Sequence, residues 1–217
     1  MFNLASIGLP PTGILADIGT SRGEFFREAA AVMTPTRSLC VEMLGDLVKA
    51  LKANPVFYCP EHGRYVAHYA CGEKQGVAKT QRTVFDPSSS LLRCHEHVGL
   101  RLGHDMSLAP AEKQESVKVE TLDNLCAKYV IYHIGLLKID VQGYESRVLL
   151  GAKRILPHVD RVIIEILQAP HYEGQSDPHE IRRLLNDAGL YFAHELHKDT
   201  FPDNGELLEI DALFQRI

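Results

Sequence analysis

Short apolar runs alternate with segments of helical period along most of the chain, and this alternation restricts the fold more than any other feature. Residues 14–18 have the pattern of a buried strand and run into Gly19. Phe25, Phe26, Ala29 and Met33 then recur on one helical face. Residues 38–43 repeat the strand pattern, and Leu44, Leu47, Val48 and Leu51 repeat the helical one. Residues 117–121 and 122–129 predict a short strand and a short helix opened by Thr121 or Asp123. Strands at 136–141 and 161–167 bracket a helix marked by Val148, Leu149, Ala152, Ile155 and Leu156, which Pro157 stops. Asp177 and Pro178 open the next helix, with Ile181, Leu184, Leu185 and Ala188 inward and Gly189 at its end. Repeated strand–helix units imply a doubly wound α/β fold, a mostly parallel sheet covered on both faces with right-handed crossovers. The end of the chain differs: residues 191–197 and 207–214 flank the turn Pro202-Asp203-Asn204-Gly205 and predict an antiparallel hairpin.

Two stretches are less regular. Residues 64–85 predict two short strands around the turn Gly72-Glu73-Lys74-Gln75-Gly76. Residues 86–112 have no period and are rich in Ser, His and Gly, as expected of a long functional or mobile loop. A length of 217 residues suits a single domain spanning 1–217. The net charge of −5 argues against broad binding to nucleic acid or an anionic membrane. No apolar run has the length of a membrane span, and the N-terminus lacks the pattern of a signal peptide. Cys40, Cys59, Cys71, Cys94 and Cys126 are scattered, with no CxxC pair, and read as reduced thiols of a cytoplasmic protein.

In such sheets ligands bind beyond the C-terminal strand ends, which draws attention to residues 14–26, ILADIGTSRGEFF. A dinucleotide fingerprint starting at Gly19 would need glycine at 21 and 24, where Ser21 and Glu24 stand. Glu24 would also set negative charge against a pyrophosphate at a helix N-terminus. Asp17, Gly19, Ser21 and Gly23 instead alternate, so that backbone can pass close to a ligand without phosphates, and Asp17 suits a cationic amino group. Glu42 ends the second strand, where an acid accepts hydrogen bonds from ribose hydroxyls. An ordinary glycine turn and a solvated loop acid are the alternatives. Lys138 and Asp140 point to one side of an otherwise apolar strand, which requires a Lys138–Asp140 or Lys138–Glu165 ion pair, or a function.

Taken together, Asp17-Ile18-Gly19 with Gly23, Val119-Glu120-Thr121-Leu122-Asp123, Leu137-Lys138-Ile139-Asp140-Val141 with Gly143 and Glu145, Gly151-Ala152 and Ile163-Ile164-Glu165 resemble the FkbM-type methyltransferases, class I enzymes that use S-adenosylmethionine. The resemblance covers about residues 14–166 and the C-terminal hairpin. It implies a seven-stranded sheet whose last strand is antiparallel. It implies Asp17, Gly19 and Gly23 around the methionine part of the cofactor, with Ser21 in the same loop, Glu42 at the ribose, Glu73 toward the adenine and Asp140 near the reacting methyl group. The family has Glu where this chain has Gln142, a residue expected to face the acceptor; Gln keeps the hydrogen bonding but cannot ionise.

The activity so implied is methylation of a hydroxyl on a small metabolite, sugar or glycan. Asp140, or His95 or His97 in the long loop, would take the proton, and His171 would also meet the acceptor. Neither Cys94-His95-Glu96-His97 with His104 and Asp105 nor Cys59-Pro60-Glu61-His62 matches a zinc spacing, so no metal is expected. Two rival readings stand beside this one. Gln142 allows a cofactor-binding protein without catalysis. A nicotinamide-dependent oxidoreductase is opposed by the loop register and the final hairpin.

Overall fold

The computed structural model describes residues 4–9 and 12–217. Along the chain come β1 (Thr12–Ile18), α1 (Glu24–Val32), β2 (Thr34–Glu42), α2 (Gly45–Lys52), β3 (Arg64–His68), β4 (Ala70–Cys71) and β5 (Gly76–Lys79). They are followed by α3 (Glu96–Leu102), β6 (Ser116–Glu120), α4 (Leu122–Lys128), β7 (Leu136–Ile139), α5 (Glu145–Leu150) and β8 (Arg161–Leu167). The last elements are α6 (Pro178–Asp187), β9 (Tyr191–Thr200) and β10 (Leu207–Gln215). Seven strands form the main sheet in the order β3-β2-β1-β7-β8-β10-β9. Neighbours from β3 to β8 pair in parallel, whereas β10 pairs antiparallel with both β8 and β9. The antiparallel strand foreseen at the end of the chain is therefore inserted between two others and does not form an edge.

The period of two along the strands sorts side chains into two layers. Ala16, Ile18, Leu137, Ile139, Ile164 and Ala212 face one side, where residues of α4, α5 and α6 pack on them. Leu15, Cys40, Leu136, Ile163 and Leu213 face the other, under α1 and α2. On this second face apolar residues give way to charged ones toward the C-terminal ends of the parallel strands. Leu15 is followed by Asp17, Leu136 by Lys138, and Ile163 by Glu165, while Asp211 precedes Leu213 on the antiparallel strand.

Three local expectations are corrected. The two strands expected over 64–85 are three, β3, β4 and β5, and β6 lies between β4 and β5 in a separate three-stranded sheet. The periodless stretch contains α3, which Arg101 ties to the final hairpin through Asp203 at 2.9 Å and Asn204 at 3.0 Å. The helix after β7 ends at Leu150 rather than at Pro157, which lies in a separate 3-10 turn. A side chain at Gly151 would run into the Gly72 carbonyl oxygen, so the chain leaves the helix where it meets the β4 turn. The caps behave as read: Thr121 Oγ1 accepts from Asn124 N at 3.1 Å, and Asp177 from His179 N at 2.7 Å. Among the described residues the five cysteines are free thiols, and no helix is long and apolar enough to cross a membrane.

Candidate active site

A cleft of about 770 Å³ opens at the C-terminal ends of β1, β2 and β7, and is lined there by Asp17, Gly19, Ser21, Glu42, Asp140 and Gln142. The loop after β1 is held on the backbone of β2. Gly19 N and Thr20 N both donate to Val41 O, at 2.9 and 3.2 Å, and Thr20 Oγ1 donates to Asp17 O at 2.8 Å. Ser21, with φ 51°, donates its N–H to Glu42 Oε2 at 2.8 Å, and Leu44 N donates to Oε1 at 2.8 Å. Glu42 is thus buried and engaged by the backbone, not a solvated loop acid. Burial raises its pKa, and the hydrogen bonds from Leu44 and Ser21 oppose the rise.

Gly19, with φ 83°, has no room for a side chain, because a Cβ would enter the Asp140 carbonyl oxygen. Its smallness is needed for the contact between two loops. Gly23, with φ 79°, packs on the Phe57 ring and does not line the cleft. Asp17 is 1% exposed, and its Oδ2 has no hydrogen-bond partner among the described residues. Burial pushes its carboxyl up to about 7, against the pull of Lys138.

At the end of β7, buried Lys138 lies 2.9 Å from Asp211 Oδ1 and 3.3 Å from Asp140 Oδ2. One of the two ion pairs anticipated for it is present; the other partner comes from β10, which only the insertion of that strand brings near. Burial would lower the Lys138 pKa, but Asp140, Asp211 and Glu165 outweigh it and hold the ammonium well above its usual range. Glu165 meets Gln142 instead. Gln142 Nε2 donates to Asp140 Oδ1 at 2.8 Å and to Glu165 Oε2 at 2.9 Å. The Tyr172 hydroxyl lies 2.8 Å from Gln142 Oε1 and 3.0 Å from the Ser88 carbonyl oxygen. Glu145 closes the turn by accepting from Val141 N at 3.2 Å and Gly143 N at 3.0 Å.

The cover comes from the stretch read as a long loop. Arg82 fixes its start, with Nε 2.8 Å from Asp86 and Nη2 2.9 Å from Asp46 in α2. Phe85 and His104 stack with centroids 4.4 Å apart, and both line the cleft. His95 and His97 do not line it: their rings lie together, 5.5 Å apart, and His95 N donates to His171 O at 2.7 Å. Glu73 is also outside, near Arg147 at 3.6 Å, while Tyr69, Ala70 and Cys71 just before it contribute to the lining. His171 lines the cleft, and its Nε2 has no hydrogen-bond partner among the described residues. Burial, then His97, Arg101 and His95, pull its pKa down to about 4.

Sequence reasoning missed His104, Tyr172, Glu209 and Asp211 in the lining. The two acids carried a signal, since with Leu213 they share one face of a strand that buries its other face. Among the described residues no group of three His, Cys, Asp or Glu side chains is placed to hold a metal ion.

A family model described as the methyltransferase FkbM domain matches residues 17–190. The fold is similar to that of FkbM methyltransferase from Methylobacillus flagellatus, with a TM-score of 0.56 and 13% identity over 97% of this chain and 46% of that one. The chain therefore spans less than half the length of that relative. It is also similar to a candidate tRNA methyltransferase from Streptococcus pneumoniae, at TM-score 0.51 and 12% identity over 98% of this chain and 68% of that one. Precorrin-6y C5,15-methyltransferase from Geobacter metallireducens gives 0.50 and 11% over 99% and 85% of the two chains. No curated protein matches at a significant level. Identities this low establish the shared fold, and the family rests on the domain match, which runs from Asp17 through the β7 turn to α6. The chain belongs to the FkbM family of S-adenosylmethionine-dependent methyltransferases.

Proposed function

We propose that the protein transfers the methyl group of S-adenosylmethionine to a hydroxyl oxygen of a small metabolite, sugar or glycan. One observation carries the cofactor half of this reading: the buried Asp17 Oδ2 in the cleft lining has no hydrogen-bond partner among the described residues. A buried carboxylate oxygen left bare is costly, and an ammonium such as the methionine part carries would satisfy it. Asp17, Gly19 and Ser21 would hold that part. Each Glu42 oxygen accepts one backbone N–H, which leaves a lone pair on each for the ribose hydroxyls. The bound sulfonium supplies a methyl group that is already activated.

The protein's own residues must then orient the acceptor oxygen and take its proton. Asp140, steadied between Lys138 and Gln142, is the proton acceptor in this reading. His171, kept neutral by burial, offers a hydrogen bond to the acceptor. His95 and His97, which lie outside the cleft lining, have no part in it. With its amide engaged by Asp140, Glu165 and Tyr172, Gln142 steadies Asp140 and does not meet the acceptor itself. A cleft of about 770 Å³ suits the cofactor with a small acceptor group. The test is transfer of labelled methyl from S-adenosylmethionine to a panel of hydroxylated acceptors. Label in a methyl ether is the expected result. Cofactor binding with no transfer to any acceptor would favour the non-catalytic reading.

A further inference from the structure

Two acids of the cleft wall, Glu209 and Asp199, have no role in that reading. On the sheet face that carries Asp17, β8, β10 and β9 bring Glu165, Asp211, Glu209 and Asp199 to the cleft wall. In the strand register Asp211 stands opposite Glu165, and Glu209 opposite Asp199. Among the described residues, ten carboxylates but only two lysine or arginine side chains, Arg22 and Lys138, line the cleft. Lys138 is engaged with Asp140 and Asp211. Gln142 reaches one Glu165 oxygen, and no described residue donates a hydrogen bond to the Glu209 carboxyl. Carboxylates crowded together in a partly desolvated wall repel one another unless a cation or protons join them.

A row of acids does not by itself specify a ligand. The second observation is His171. It is 3% exposed, it lines the same cleft, and its Nε2 is buried without a hydrogen-bond partner among the described residues. A polar atom left bare in such a place lacks the hydrogen bond that nearly all buried polar atoms have, and a polar group of a ligand would supply it.

We infer that the end of the cleft walled by Glu165, Glu209 and His171 binds an acceptor that carries an ammonium group beside its hydroxyl. The inference rests on the methyl-transfer reading and narrows its substrate class to hydroxylated amines. The ammonium meets Glu209 and the free oxygen of Glu165, and His171 Nε2 hydrogen-bonds a hydroxyl. Burial, with Asp140, Asp199 and Asp211 nearby, pushes the Glu209 carboxyl up to about 8, so without a ligand this carboxyl holds its proton near neutrality. An arriving ammonium replaces that proton as the compensating charge.

The test is calorimetric titration of the protein saturated with S-adenosylhomocysteine. The probes are three pairs that differ in charge at constant ionic strength: glucosamine and N-acetylglucosamine, ethanolamine and N-acetylethanolamine, tyramine and N-acetyltyramine. At least one free amine is expected to bind about tenfold more tightly than its acetylated partner. Glu209→Gln, which keeps the shape and lessens repulsion, is expected to remove that advantage and to leave S-adenosylhomocysteine affinity unchanged. Asp199→Asn is a second variant expected to act in the same direction. The inference is overturned if no amine exceeds its partner, or if the advantage survives in Glu209→Gln. It is also overturned if Glu209→Gln weakens S-adenosylmethionine but not S-adenosylhomocysteine, since the acids would then serve the sulfonium. Failure of S-adenosylhomocysteine to bind the parent protein marks instead the failure of the cofactor reading.

Discussion

Gln142 donates from one amide nitrogen to two carboxylates, Asp140 Oδ1 at 2.8 Å and Glu165 Oε2 at 2.9 Å. A carboxylate of the same shape could not donate these two bonds, whereas the Gln142 amide makes both. Gln142→Glu would put a third carboxylate between the other two and remove both donors. The expected loss of stability is on the order of 3 kcal/mol at pH 8, from charged hydrogen bonds lost and repulsion gained. The loss should be smaller at pH 5. Burial, with Asp140, Glu209 and Glu145 nearby, raises the Glu165 pKa well above normal, so a proton can bridge the carboxyls as pH falls. Urea unfolding of both proteins at the two pH values checks this, and equal stability at pH 8 contradicts it. Residue 142 is singled out in the sequence only through the resemblance, and its partners are not legible there. Tyr172 and Glu165 reach residue 142 only through the folded sheet, whereas the resemblance implies that Gln142 faces an acceptor.

The loops after β1 and β7 behave as one element, joined where Gly19 meets the Asp140 carbonyl. Gly19→Ala combines a steric conflict with a positive φ, whereas Gly205, also at positive φ, has open space where a methyl group would stand. Gly205→Ala should cost about 1–2 kcal/mol, the cost of the backbone conformation alone. Gly19→Ala should cost clearly more and weaken cofactor binding as well. Denaturant midpoints and titration calorimetry on both variants check this, and equal losses contradict it. Elements are legible wherever the signal is local. Strands β1, β2, β7 and β8 of the main sheet follow from apolar runs, and α6 from its Asp177 cap and Pro178. Those that depend on distant partners are not. The pairing of β4 and β5 is decided by β6, which lies far along the chain beyond α3. Helix α3 exposes Leu100 and carries no apolar period, and Arg101 holds it through contacts to the final hairpin.

For the whole molecule, the buried acids make stability depend on pH. Burial raises Asp17 and Glu145 to about 7 and Glu209 to about 8. The folded state thus holds protons that the unfolded state has released. The stability these groups contribute is full below about pH 4 and is lost as pH rises through 7 to 8. His171, depressed to about 4, acts oppositely: its contribution is present above about 6.5 and lost as pH falls through 4. Three acids outweigh one imidazole, so the melting temperature of the ligand-free protein should fall between pH 5.5 and 8.5, a window of roughly three units. A flat or rising profile contradicts this. In the proposed function Asp17 is the buried anchor of the cofactor's cationic group, and calorimetric titration of the parent and of Asp17→Asn with S-adenosylmethionine measures that role. The parent should bind the cofactor and show no heat with NAD, and Asp17→Asn should bind about ten to a hundred times more weakly. Equal affinity in the variant, or binding of NAD in place of S-adenosylmethionine, would contradict the account.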